Sequence, residues 1–191
     1  SQDGKPITST STILIQGTHL MSPNTFIFLE GQELSPTVIA DSQLTLPISA
    51  ALHAGVKALQ VLQKLEMGTP SVTHRGFESN VAPFVLHPTV QNATASSAPS
   101  PPGGANVTVT LTPNIGIGQR ASLLLNTVSG ATPTAFSSIA TVSAADSNQI
   151  VLNIANVPAD CYLVRIQVDG AESLLRVNSG TGMLDGPTLA M

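Results

Sequence analysis

Short apolar runs alternate with polar turns along the whole chain of 191 residues. Residues 107–111 alternate strictly between apolar and polar types, which is the pattern of a strand with one buried face. Other runs are rich in β-branched residues and are bounded by Gly, Pro, Asn or Asp. The pattern therefore predicts an all-β chain. The predicted strands lie at residues 13–17, 26–29, 38–40, 43–46, 57–61, 81–86, 107–111, 121–125, 139–142, 149–154, 162–168 and 173–177.

An internal repeat divides the chain into two copies. Residues 40–48 are echoed by residues 145–154, and residues 54–61 are echoed by residues 159–166, with the same offset of 105 residues in both cases. A period of about one hundred residues is too long for a solenoid unit and matches one small β-sandwich. The repeat therefore predicts two copies of one β-sandwich module.

The stretch of residues 48–67 is compatible with two structures. Its apolar residues recur at helical spacing, and it is rich in good helix formers. Its counterpart at residues 161–168 is β-branched and is followed by the turn pair Asp169-Gly170. Because related copies share a backbone, we expect a strand at residues 57–61, preceded by one helical turn at residues 49–53.

Composition marks the place where the two copies meet. Residues 92–104 contain only Asn, Ala, Thr, Ser, Pro and Gly, which is typical of a linker or a long surface loop. The predicted domains are a first sandwich at residues 1–90, a linker at residues 91–106, a second sandwich at residues 107–180 and a tail at residues 181–191.

Three segments of the first copy carry a family resemblance. Residues 13–20 run Ile-Leu-Ile-Gln-Gly-Thr-His-Leu, residues 54–61 run Ala-Gly-Val-Lys-Ala-Leu-Gln-Val, and residues 79–86 run Ser-Asn-Val-Ala-Pro-Phe-Val-Leu. Together they resemble the IPT/TIG type of immunoglobulin-like domain over residues 6–88, although Lys57 stands where that family often has an aromatic residue. With the repeat, the resemblance implies two tandem immunoglobulin-like β-sandwiches joined by a Pro/Gly/Ser-rich linker.

The second copy carries a different resemblance. Residues 118–126 and residues 162–175 resemble the C-terminal region of tail-terminator (cap) proteins of phage-tail-like contractile injection systems. This resemblance implies an accessory structural region of a bacterial or phage-like assembly, with tail or sheath subunits as protein partners. The chain starts at Ser1 rather than Met, so we expect a processed chain or a part of a longer one.

The charge and aromatic content disfavour several partners. Charged residues make up only 9% of the chain and the net charge is −4, so no basic footprint for nucleic acid or anionic lipid is expected. Aromatic residues make up 3%, without Trp, which disfavours glycan binding because sugars stack on aromatic rings. No apolar run reaches membrane-spanning length and no signal peptide opens the chain. A cytoplasmic assembly or an extracellular particle is therefore the expected location.

No residue pattern predicts catalysis, a cofactor or a metal. The four histidines lack His-x₃-His spacing, and no Asp-x-Asp run suits calcium. Asp41 and Asp146 open an Asp-Ser turn in each copy, where local capping of the turn explains them. The single cysteine, Cys161, precedes an apolar strand, so we expect a buried, inert thiol.

One segment stands out as a candidate contact site. Residues 69–80 form a predicted polar loop in which charge and an aromatic ring coincide on the surface. The residues of this candidate contact loop are His74, Arg75, Phe77 and Glu78. The sequence thus predicts a non-catalytic structural or interaction module, with a carbohydrate- or receptor-binding surface module as the alternative.

Overall fold

The computed structural model describes residues 1, 3–49, 51–97, 104–128, 134–142 and 144–191. These residues form an all-β structure without a helix, as the alternating pattern predicted. The described part of the chain accordingly contains no helix with the length and apolarity needed to cross a membrane. Two compact units form: unit 1 comprises Ser1–Leu52 and Val56–Leu86, and unit 2 comprises His53–Gly55 and His87–Met191.

Unit 1 contains two antiparallel sheets. The strands are β1 Thr12–Gln16, β2 Thr25–Leu29, β3 Gln32–Leu34, β4 Thr37–Ala40, β5 Gln43–Pro47, β6 Gly55–Met67, β7 Val72–Glu78 and β8 Ala82–Leu86. One sheet has the order β1-β5-β4, and the other has the order β3-β2-β6-β7, with β8 also paired to β6. Ile13 and Leu46 from the first sheet pack with Ile27, Leu29 and Leu59 from the second in one buried cluster, so the core lies between the sheets.

Unit 2 also has two main sheets around one core. The strands are β9 Thr89–Ser97, β10 Ala105–Ile115, β11 Arg120–Thr127, β12 Ala135–Thr141, β13 Ser147–Ile154, β14 Cys161–Val168, β15 Ala171–Glu172, β16 Arg176–Val177, β17 Leu184–Gly186 and β18 Thr188–Ala190. The first sheet has the order β13-β10-β9, and the second has the order β12-β11-β14-β15, with β18 also paired to β14. Inward-facing residues of β10, β11, β13 and β14 form one buried cluster.

A buried tyrosine fixes one corner of unit 2. Tyr162 is fully buried at the start of β14, and its hydroxyl donates to the carbonyl of Pro158 at 2.9 Å. The ring of Phe136 packs edge-to-face against the ring of Tyr162, with the two ring centres 5.8 Å apart. A tyrosine that bonds back to the chain just upstream is the corner found in immunoglobulin-like sandwiches. Burial also raises the pKa of the Tyr162 hydroxyl, so the group remains a donor.

The same order of pairing recurs in the two units. β2 pairs with β3 and β6 in unit 1, as β11 pairs with β12 and β14 in unit 2. The repeated segments lie on β5 and β13, which pair with β1 and β10 respectively, and on the entries to β6 and β14. The repeat in the sequence therefore coincides with strands in equivalent places.

The ambiguous stretch is a strand. In β6, the buried Lys57, Leu59 and Val61 alternate with the exposed or half-buried Val56, Ala58 and Gln60, so a period of two describes residues 56–61. The preceding residues form a turn in which the Leu52 amide donates to Ser49 at 3.1 Å; residue 50 lies outside the described residues.

Two expected irregular segments contain strands instead. The predicted linker at residues 91–106 is wrong for residues 91–97 and 105–106, which belong to β9 and β10 and pair with one another; residues 98–103 lie outside the described residues. The predicted tail at residues 181–191 contains β17 and β18, and Leu189 is buried in the core of unit 2. The expected strand at residues 173–177 is reduced to Arg176–Val177.

Candidate functional site

The candidate contact residues lie on a strand rather than in a loop. His74, Arg75, Phe77 and Glu78 belong to β7, which pairs antiparallel with the outer half of β6. The loop prediction is wrong because most of this hairpin is exposed on both sides. A strand that is exposed on both sides does not need alternating apolar and polar residues, so its sequence resembles that of a loop. Arg75 lies opposite Lys64 and Phe77 lies opposite Gln63. Because consecutive residues of a strand point to opposite faces, the hairpin places Arg75 and Phe77 on different sides.

One side of the β6–β7 hairpin is a layer of cations over aromatic rings. The Arg75 guanidinium lies 5.4 Å from the ring centre of Phe28, and the Lys64 ammonium lies 4.7 Å from that of Phe26. Arg75 Nε also pairs with Glu78 Oε1 at 3.0 Å. Cation–π contacts and ion pairs thus engage the charged groups of this side.

The other feature of the hairpin is its exposed apolar side chains. Met67 and Val72 are cross-strand neighbours, and Leu65 lies two residues before Met67, so all three share a face. Gly76 is needed there, because a Cβ atom would lie only 2.6 Å from Leu65 Cγ. We call the exposed Leu65, Met67, Val72 and Phe77 the first hairpin surface.

A pocket opens beside Phe77. Its volume is about 410 Å³, and its walls include Leu20, Val61, Gln63, Phe77 and Glu78. This volume lies in the range of small-ligand pockets. Phe77 is 68% exposed, so its ring is available to a ligand or a partner.

Unit 2 carries a second exposed apolar hairpin, which the sequence did not indicate. β16 and β17 pair antiparallel, and Arg176 Nε bonds to Asp185 Oδ1 at 2.7 Å across them. The segment was predicted to be a tail. The sequence signal that could have indicated this hairpin is the apolar pair Met183-Leu184, which lies between two glycines. We call the exposed Leu174, Val177, Met183 and Leu184 the second hairpin surface.

A polar cluster holds one end of unit 2 together. Asp146 accepts the Ile117 amide at 3.0 Å and lies 2.9 Å from His53 Nε2. The Ile117 amide, followed by the bond to His53, holds the pKa of the Asp146 carboxyl below its usual value. Asp41 similarly accepts the Met21 amide at 3.1 Å. Both aspartates therefore bond to distant loops, which corrects the expectation that they cap only their own turns.

The other reactive side chains have structural partners or stand apart. His87 Nδ1 lies 2.7 Å from the carbonyl oxygen of Glu172, and His19 lies 3.7 Å from Asp41. Within the described ranges, no three His, Cys, Asp or Glu side chains are grouped so that they could hold a metal ion. Cys161 is exposed, so the expectation of a buried thiol is wrong; Tyr162 takes the buried position instead.

The comparisons with known proteins place the chain in a family. The family described as "Domain of unknown function (DUF8756)" matches residues 88–190, more than half of the chain and nearly all of unit 2. The chain therefore belongs to this family. The comparison with curated proteins found no match.

Proposed function

We propose that this chain is a non-catalytic module that binds another protein through its two hairpin surfaces. The observation that supports the proposal is the distribution of exposed apolar side chains. Of the 15 large hydrophobic residues that are exposed among the described residues, eight lie on the first and second hairpin surfaces. Apolar residues concentrated on exposed hairpins favour contact with a partner, whereas scattered ones need no explanation.

A more specific role follows from the motif resemblances. We propose that the units are immunoglobulin-like domains, the first of IPT/TIG type, that form an accessory region of a phage-tail-like contractile injection system. The Tyr162 corner and the shared order of strand pairing support an immunoglobulin-like architecture. Tail or sheath subunits are the proposed partners, and no reaction is assigned to the chain.

One observation favours the alternative of a carbohydrate-binding module. The exposed ring of Phe77 borders a pocket that also presents Gln63 and Glu78. An aromatic face next to amide and carboxylate groups can stack on a sugar and bond to its hydroxyls. A glycan array probed with the purified chain and with Phe77→Ser tests this alternative, which predicts a hit that the variant loses.

The proposed function is tested by binding to purified tail and sheath subunits. The hairpin variant Met67→Ser/Phe77→Ser/Val177→Ser/Met183→Ser should bind at least about tenfold more weakly, because apolar anchors provide most of the binding free energy at an interface. The matched control is Val56→Ser/Val128→Ser/Ile139→Ser/Val151→Ser, which removes four exposed apolar residues elsewhere. Biolayer interferometry should show control affinities within about twofold of the native chain. Equal binding by the two variants would contradict the proposal.

A further inference from the structure

The two units differ at one sheet edge. In unit 2, β10 is flanked by β13 on one side and by β9 on the other. The equivalent strand of unit 1, β1, pairs with β5 on one side, and no described strand pairs with its other side. Ahead of β1, the chain makes a bridge from Ile7 to Leu86 of β8, so it does not supply the missing strand.

The open edge presents unpaired backbone groups. The Gly17 amide donates to Ser42 and the Ile48 amide donates to Ser11, so the odd-numbered residues of β1 bond to β5. In an antiparallel pair, the intervening residues point their amides and carbonyls to the opposite side. The backbones of Leu14 and Gln16 therefore face the open edge, and they have no hydrogen-bond partner among the described residues.

A groove lies next to this edge. It encloses about 320 Å³, and its apolar walls come from Ile15, Leu20, Leu59, Val61 and Ala82. Its polar lining residues are uncharged. The groove therefore suits uncharged side chains, because a charge buried there would have no partner.

Unit 2 shows what occupies the corresponding place. Ala93 and Ala95 of β9 lie opposite Val109 and Val107 of β10, and with Val90 they pack against the core. Small apolar residues two positions apart thus face inward, and polar residues alternate with them.

From this difference between the units, we infer that the open edge of β1 binds an extended segment of a partner protein by strand addition. The segment runs antiparallel to β1, bonds to the backbones of Leu14 and Gln16, and places uncharged side chains of Ala or Val size in the groove. Backbone bonds provide affinity in this mode of recognition, and the alternating side-chain positions provide specificity.

This site is distinct from the hairpin surfaces of the proposed function. The changes that remove the hairpin side chains do not alter β1, and changes in β1 leave Phe77 and Met183 in place. Failure of either proposal can therefore be recognised separately.

The test uses the full chain and a panel of nine-residue peptides. The designed peptides carry Ala, Val or Ser at alternate positions and Ser, Thr or Gln between them. A further peptide has the β9 sequence Thr-Val-Gln-Asn-Ala-Thr-Ala-Ser-Ser. Control peptides carry Lys at the alternate positions. Gln16→Pro removes the outward amide, and an edge strand tolerates proline. Gln16→Ser is its matched control, because it removes the side chain and retains the amide.

We expect uncharged peptides to bind and to slow amide exchange at Leu14 and Gln16, while the Lys peptides do not bind. Gln16→Pro should weaken binding at least about tenfold, and Gln16→Ser should stay within about twofold of the native chain; circular dichroism checks that both fold. Three outcomes would each overturn the proposal: no peptide binds at millimolar concentration, Gln16→Pro binds as well as Gln16→Ser, or the native chain is a dimer that Gln16→Pro dissociates, which would assign the edge to a second copy.

Discussion

At the scale of single residues, Lys57 shows how a departure from a motif is compensated. It stands in β6 with its side chain 8% exposed, and its ammonium pairs with Glu30. Glu30 adopts a positive φ of 49° next to Gly31 in the tight turn between β2 and β3. The turn therefore holds the carboxylate where the buried ammonium needs it, because a buried charge is costly without a partner.

Removing the charge of Glu30 should reveal the free-energy cost of burying the Lys57 ammonium without a partner. We expect Glu30→Gln to lower the free energy of unfolding by about 2 kcal/mol, since it leaves the Lys57 charge buried and unpaired. Lys57→Met should be nearly neutral, because it removes the charge and keeps the length of the side chain. Urea unfolding measures both, with the exposed Glu66→Gln as a control. Equal stability of Glu30→Gln and the native chain would show that the ion pair is dispensable.

At the scale of elements, the sequence predicted several strands with one buried face and missed β7 and β9, which lack a row of large buried side chains. β2, β10 and β14 alternate between buried and more exposed positions over much of their length, and their apolar residues carry the same period. β7 is exposed almost throughout, and β9 directs only small or half-buried residues toward the core. The amino-acid composition of these two strands therefore resembles that of a loop or a linker. For β6, the second copy supplied the information that its own helical spacing obscured.

The candidate site was predictable only in part for a related reason. The residues around Phe77 were identified because charge and an aromatic ring coincide there. The second hairpin surface and the open edge of β1 depend on which strands pair, and pairing between distant segments leaves no local signal in the sequence.

The contacts of the Asp146 carboxylate with Ile117 and His53 should make the stability of unit 2 depend on pH. Because the pKa of Asp146 is lowered in the folded state, folding favours the charged form. The stabilisation is present above the unfolded value of about 4 and is lost as the pH falls through the folded value. Asp146→Asn should therefore destabilise unit 2 at pH 7, and the difference from the native chain should shrink below about pH 4. Urea unfolding at several pH values measures this, and a difference that is the same at every pH would contradict it.

At the scale of the whole molecule, unit 2 is not a continuous piece of the chain. His53–Gly55 belong to it, and Ala54 is fully buried in its core cluster. Gln119 Nε2 donates to the Ala54 carbonyl at 2.8 Å. The matched family segment begins at residue 88, so it does not include this part of the unit.

A charge introduced at residue 54 should therefore destabilise unit 2, although the matched family segment begins only at residue 88. We expect Ala54→Asp to cost several kcal/mol, because it buries an unpaired carboxylate. Hydrogen exchange should accelerate at the amides of β10 and β14. Ala51→Asp is the control, since Ala51 is exposed. Unchanged protection of β10 and β14 in Ala54→Asp would show that residues 53–55 do not stabilise the unit.

This discontinuity limits how the segment can be exchanged in evolution. A recombination event that transfers residues 88–190 as one cassette leaves His53 and Ala54 behind. The recipient then has to supply a small side chain for the vacated core position and a carbonyl group that accepts the hydrogen bond from Gln119 Nε2. A contiguous gene fragment that carries residues 88–190 therefore omits residues 53–55, which belong to the same compact unit.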